Sequence, residues 1–195
     1  MSDLISAAIL KFNQINAEDP TRIEVDGQHR PRELVQAERL EEWVLRVDPN
    51  SSAALRLASR SQHLKRFAFP RGDYPEGRVG YLKWRKDLSK KHAELAEQVL
   101  ADVGADAVLI SEVRSILLKE GLKTNPDSQT MEDALCLSFL QHEFSDFAAK
   151  HPDDKVIDIV QKTWRKMSAR GHEFALGLAL SGRAKDLAQK ALSGS

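Results

Sequence analysis

The stretch that decides the fold is residues 81–103, YLKWRKDLSKKHAELAEQVLADV. Its apolar side chains recur every three or four residues, which is the spacing of one face of an α-helix. This apolar row consists of Tyr81, Trp84, Leu88, Leu95, Ala96, Val99 and Val103. The spacing predicts one long helix with a single buried face.

The same helical spacing continues on both sides of this stretch. No run of alternating apolar and polar residues has the length of a strand, and Gly and Pro fall in a few clusters that separate helices. The strongest cluster is the loop FPRGDYPEGR at residues 69–78. The predicted helices lie at about 4–15, 31–47, 53–67, 81–103, 109–120, 133–147, 156–167 and 173–191. We therefore predict a single all-α domain over residues 1–195, a compact bundle of about eight helices.

Composition excludes several classes of protein. The 195 residues carry 29 basic and 29 acidic side chains, 42% apolar residues and 30% charged residues. Such a chain is too apolar for disorder and too interrupted by charge for a membrane span, and it lacks the basic excess of a nucleic-acid coat protein. A single cysteine and an N-terminus without the features of a secretion signal predict a cytoplasmic protein.

Three polar residues stand in apolar rows on three different predicted helices. His92 lies between Leu88 and Leu95, Glu120 continues the row of the 109–120 helix, and Asp133 leads the row of the next helix. Burial of an unpaired carboxylate or imidazole costs several kcal/mol, so these side chains are expected to share a polar pocket. His63, at the edge of the preceding apolar face, is expected to join them. The alternative is that His92 is a hydrogen-bonded core residue and Asp133 a charge favoured in a first helical turn.

Basic residues lie near the predicted pocket residues along the sequence. Those expected to bind an anionic ligand are Arg39, Arg66, Arg71, Lys119 and Lys123. Arginine forms bidentate hydrogen bonds with phosphate, which makes a phosphorylated ligand a suitable partner. For any one of these residues alone, the alternative is a solvated helix surface.

Absent motifs narrow the chemistry further. The sequence has no Gly-rich phosphate loop of a nucleotide cofactor site, no Cys/His zinc spacing and no nucleophile elbow. Cys136 stands in an apolar row, which favours a buried structural thiol over a nucleophile. The segment KMSAR at residues 166–170 resembles the Lys-Met-Ser loop of class I aminoacyl-tRNA synthetases, but it is five residues long and no nucleotide-binding α/β half accompanies it.

Several motifs along nearly the whole chain resemble the domain-of-unknown-function family 4202. They are RLEEW at 39–43, RSQHLKR at 60–66, PR at 70–71, YP at 74–75, GYLKWR at 80–85, HAE at 92–94, LKEGLK at 118–123, QTMEDA at 129–134 and residues 156–167. This resemblance implies a family-like core at about 4–180 and no established activity.

The order of inward polar residues also resembles, more distantly, the HD superfamily of helical metal-dependent phosphohydrolases. The resemblance implies an HD-domain-like bundle in which His63, His92, Glu120 and Asp133 hold a divalent metal ion. The sequence departs from that pattern in two places. Gln36 replaces the first histidine, and the His-Asp pair reads His63-Leu64. The resemblance therefore implies one metal ion in place of two.

Two main hypotheses follow. In the first, the protein is a degenerate HD-like hydrolase of a small phosphorylated or nucleotide-like substrate, with His92 and Glu120 as the catalytic residues. In the second, it is a non-catalytic helical module that binds an anionic ligand or a protein partner. A third hypothesis, nucleic-acid handling, rests only on the KMSAR segment and a few basic rows. The sequence does not determine the substrate, the oligomeric state or a partner.

Overall fold

The computed structural model describes residues 2–122 and 124–193. The α-helices of this part of the chain are α1 Ser2–Ala17, α2 Arg32–Val47, α3 Ala53–Ser61, α4 Gly77–Asp102, α5 Ala107–Leu117, α6 Pro126–His142, α7 Phe144–Lys150, α8 Asp153–Trp164, α9 Ala169–Leu176 and α10 Gly182–Ser193. The strands are β1 Arg22–Val25 and β2 Gln28–Pro31, and short 3-10 turns lie at Arg66–Ala68 and Arg71–Asp73.

The all-α class predicted from the sequence is confirmed. The described residues form ten α-helices where about eight were expected, because two predicted segments each contain a break. The 133–147 segment breaks at Glu143, whose backbone (φ −123, ψ −22) leaves the helical region. The 173–191 segment breaks between Leu176 and Gly182, where Gly182 takes a left-handed φ of 52.

A small β-hairpin, which the periodicity argument did not predict, joins α1 to α2. Its strands pair antiparallel with Val25 opposite Gln28. Between them, Asp26 and Gly27 both have positive φ values, 51 and 76. That backbone suits a two-residue Asp-Gly turn, whose twist matches that of the paired strands. The strands are four residues each, too short for the alternation to stand out in the sequence.

The core lies where α2, α3 and α6 meet. α2 packs against both α3 and α6, α5 packs against α3 and α4, and α8 packs against α10. The largest fully buried side chains include Phe12, Trp43, Leu55, Leu137 and Phe144. Burial of one such side chain contributes about 1.5–3 kcal/mol, so this cluster holds the helices that carry the polar site.

Side-chain caps fix the starts of α3 and α6, two helices next to the polar site. Ser52 caps α3 by accepting a hydrogen bond from the Leu55 N–H at 3.0 Å. Asn125 caps α6 by accepting one from the Asp127 N–H at 3.0 Å. None of the described helices is both long enough and apolar enough to cross a membrane.

Candidate functional site

A cavity of about 660 Å³ opens between α2, the turn after α3, and helices α4, α5, α6 and α8. A cavity of this volume is in the range that holds a small molecule or cofactor. Its wall contains both charged and apolar side chains. The basic side chains are Arg66, Arg85, Lys86, Lys119 and Lys166, the carboxylates are Glu132 and Glu143, and the apolar side chains include Leu135, Phe139, Phe147 and Ile159.

His92, on α4, lines the cavity and is only 2% exposed. Its Nδ1 lies 2.8 Å from the backbone carbonyl oxygen of Leu64. A carbonyl oxygen only accepts, so Nδ1 carries the proton and donates it. Burial lowers the pKa of His92 to about 4, although the Leu64 hydrogen bond acts in the opposite direction. The ring is therefore neutral near pH 7, with a lone pair on Nε2.

His63 lines the same cavity from the turn after α3. Its ring lies edge-to-face against His92, with 6.2 Å between the ring centroids. Burial lowers the pKa of His63 well below its usual value, and the nearby charge of Arg66 lowers it further. The structure thus brings together two of the predicted site residues as a pair of neutral imidazoles.

Arg66, the third predicted residue in the cavity, lies 5.2 Å from the centre of the Trp84 ring. The Trp84 indole N–H donates to the Phe69 carbonyl oxygen at 3.0 Å, which holds the ring beneath the guanidinium. Among the described residues, Arg66 has no ion-pair partner within 4.0 Å. Burial lowers its pKa, yet an arginine remains charged at neutral pH. The cavity therefore contains a cation outside ion-pair distance of any described carboxylate, although the charges of Glu33 and Glu143 are near enough to raise its pKa.

Lys119, also predicted, pairs with a carboxylate that the sequence argument missed. Its ammonium contacts Glu132, which is 5% exposed, and Lys166 approaches the other oxygen of Glu132 at 3.7 Å. Glu132 lies one residue before Asp133 and faces the cavity in its place. The expected helix began at Asp133, whereas α6 begins seven residues earlier, so the inward face of this region includes Glu132 as well.

The direction of the Lys119 side chain follows from an unusual backbone conformation. After α5 ends, the Glu120 N–H donates to the Ser115 carbonyl and the Lys119 N–H to the Ile116 carbonyl, a Schellman pattern. The left-handed position in that pattern is usually glycine, but here Lys119 occupies it with φ 59. The helix end thus places a lysine at the cavity wall. A lysine with this positive φ lowers the stability of the fold by about 1 kcal/mol relative to glycine.

Asp133 is buried as predicted but lies outside the cavity wall. Its Oδ1 accepts from the Ser168 N–H at 2.8 Å and from the Gln129 amide at 3.1 Å, and its other oxygen accepts from the Ser168 hydroxyl. These hydrogen bonds hold the first turn of α9. A Cβ added to Gly171 would lie 2.7 Å from Asp133 Oδ1, so only glycine allows this close approach. The carboxylate thus holds Ser168, a residue of the KMSAR segment, which is the N-cap of α9.

Three further predicted residues lie elsewhere. Glu120 is exposed, so its expected inward orientation is wrong, because α5 ends at Leu117 and the apolar row ends with it. Arg71 donates to the Tyr74 and Pro75 carbonyl oxygens at 2.9 and 2.8 Å and so braces its own loop. Arg39 is half-buried on α2 outside the cavity wall. Lys123 lies outside the described residues.

Cys136 has the structural character expected from the sequence. Its side chain is 7% exposed at the cavity wall, and burial raises the pKa of the thiol to about 12. A thiol with so high a pKa is a poor nucleophile at neutral pH.

The residues brought together do not fit a metal centre of the expected kind. Over residues 2–122 and 124–193, no group of three or more His, Cys, Asp and Glu side chains has an arrangement that could hold a metal ion. Of the four expected ligands, only His63 and His92 line the cavity.

The fold and the cavity define an all-α protein with a partly basic, partly apolar pocket. The chain belongs to the family described as domain of unknown function DUF4202, whose model matches residues 6–188. The family resemblance seen in the sequence is therefore confirmed. Neither a curated protein nor a solved structure matches the chain, and the resemblance to the HD superfamily has no support from these comparisons.

Proposed function

We propose that this protein binds a small phosphorylated molecule in the cavity. The observation that carries the proposal is Arg66, a guanidinium held over Trp84, without an ion-pair partner among the described residues and beside two neutral imidazoles. An anion supplies the missing partner, and a phosphate matches the planar donor geometry of arginine.

The charge of the cavity wall also favours an anion. Five lysine and arginine side chains face two carboxylates, and one of these, Glu132, already contacts two lysines. The apolar side chains of the same wall, among them Phe139 and Phe147, provide a surface for the non-ionic part of a ligand. A phosphate ester with an apolar or planar body suits this combination of side chains.

The test is a calorimetric titration of the protein with nucleotides and other phosphate esters. Binding that weakens with added salt and is lost in Arg66→Met is expected, since the contact is mainly electrostatic. Arg46→Met is the matched control, because Arg46 also lies over a tryptophan, 4.0 Å from the centre of the Trp43 ring, but outside the cavity wall. Equal loss in both variants, or no binding of any phosphate ester, contradicts the proposal.

A second candidate function is hydrolysis of the bound phosphate ester by acid–base chemistry. It is favoured by the Nε2 lone pair of the neutral His92 ring, which is the acceptor available for a proton from an attacking water, although a pKa of about 4 makes this imidazole a weak base. The described residues of the cavity do not fit a metal ion, so this reaction is assigned to His92 without one, and the divalent metal ion stays a prediction from the sequence. Phosphatase assays on the same panel test the activity, and metal analysis of protein purified without chelator tests the metal.

A further inference from the structure

His92 presents an acceptor, not a donor, on the side of its ring away from Leu64. The Leu64 carbonyl requires the proton on Nδ1, so Nε2 holds a lone pair. Nε2 is buried and has no hydrogen-bond partner among the described residues, although the ring lines the cavity. A buried acceptor without a donor destabilises the structure, and a ligand relieves this only if it brings an N–H or O–H group.

A second unsatisfied acceptor lies in the same wall. Gln62 is 8% exposed, and its Oε1 also lacks a donor among the described residues. Arg66 lines this wall one turn after His63, and its backbone N–H donates to the His63 carbonyl oxygen at 3.0 Å. The His63 ring in turn lies edge-to-face against His92. An anion paired with Arg66 is therefore bound in the same wall as the acceptor His92 Nε2.

We infer that His92 is a specificity-determining residue that selects anions carrying a hydroxyl donor on, or next to, the charged group. This inference rests on the proposed function. An anion with acceptors only would set its oxygens against the Nε2 lone pair, so it would bind Arg66 with an unfavourable contact. The donor is either the O–H of a protonated phosphate or a carbon-bound hydroxyl beside a phosphate ester, and two experimental arms separate these sources.

The first arm compares hydrogen phosphate with sulfate at pH 8. Both are tetrahedral dianions, and only hydrogen phosphate carries an O–H group. The second arm compares glycerol phosphate with propyl phosphate at the same pH, where both esters are dianions without a P–O–H group and only glycerol phosphate carries hydroxyls. We expect the donor-bearing probe to bind about tenfold more tightly in one arm, which identifies the source of the donor.

The variant His92→Asn tests whether the preference for the donor-bearing probe depends on this side chain. The Asn amide has an N–H close to the position of Nδ1 and can still donate to the Leu64 carbonyl, but it has no group in place of Nε2. The preference is expected to fall to near unity in this variant. His29→Gln, at an exposed position in the hairpin, is the control and is expected to retain the preference.

A spectroscopic measurement on the unmodified protein covers the case in which His92→Asn does not fold. The ¹⁵N resonance of His92 Nε2 is expected to move when the donor-bearing probe is added and to stay in place with its partner probe. Equal affinities in both arms, or a donor preference that persists in His92→Asn, overturn the inference while anion binding stands. Failure of all four probes and of the wider phosphate ester panel overturns the proposed function itself.

Discussion

The carboxylate of Asp133 on α6 accepts two hydrogen bonds from Ser168, one from its backbone N–H at 2.8 Å and one from its hydroxyl. The Ser168 hydroxyl oxygen in turn accepts from the Gly171 N–H at 3.1 Å, which caps α9. A buried carboxylate is therefore compensated by the start of a helix 35 residues away in the chain. The neighbouring Glu132 instead contacts two lysines at the cavity.

The first prediction concerns the close approach of Gly171 to Asp133. Gly171→Ala is expected to lower the free energy of unfolding by about 1–3 kcal/mol, because the new Cβ would lie 2.7 Å from Asp133 Oδ1. Gly72→Ala is the control, since a Cβ there meets no atom within 4 Å. Urea denaturation measures both variants. Equal stability of the two would show that α9 shifts without cost.

The second prediction separates the adjacent carboxylates. Asp133→Asn is expected to destabilise the fold by about 1–3 kcal/mol, since an amide cannot accept all three hydrogen bonds of the carboxylate, and to leave phosphate affinity unchanged. Glu132→Gln is expected to raise phosphate affinity several-fold, because it frees the charges of Lys119 and Lys166. Calorimetric titration and thermal melting of both variants provide the two measurements. A loss of phosphate affinity in Asp133→Asn would favour the site role predicted from the sequence.

The third prediction uses the left-handed backbone of Lys119. Lys119→Gly and Lys119→Ala both remove the ammonium and are expected to weaken phosphate binding equally. Only glycine relieves the positive φ of 59, so Lys119→Gly is expected to be about 1 kcal/mol more stable than Lys119→Ala. Chemical denaturation of the two variants checks this difference. A more stable alanine variant would mean that the segment does not hold this conformation.

The fourth prediction is a loss of stability in acid. Burial holds the pKa of His92 at about 4 in the folded protein, against 6.5 for an ordinary histidine. The unfolded chain therefore binds a proton between these values that the folded chain does not, and stability falls as the pH drops from 7 towards 4. The buried His63, whose pKa is also lowered, acts in the same direction.

His92 alone is expected to account for about 1–2 kcal/mol of the stability lost between pH 7 and pH 5. Urea denaturation at the two pH values, in the natural protein and in His92→Asn, isolates this share. The variant is expected to lose less stability than the natural protein over this interval. An identical loss in both would contradict a neutral, buried His92.

Helix periodicity was sufficient for much of the fold. The row from Tyr81 to Val103 predicts α4, and α4 spans Gly77–Asp102. The same row predicts that His92 is buried, because its position depends only on the 3.6-residue repeat. Periodicity failed at helix ends. Glu120 follows the end of α5, and Glu132 lies in a turn of α6 that precedes the predicted start.

The sequence by itself determined the helical class, the family, the burial of His92 and Asp133 and the basic residues available for an anion. These properties follow from local spacing and from residue type. Only the tertiary structure decided which side chains share one cavity. His63, His92 and Glu132 come from separate elements, and their distances depend on how the helices pack. Tertiary structure also decided that Asp133 lies outside the cavity. Its hydrogen-bond partner Ser168 is 35 residues away in the chain, and no local pattern links the two residues.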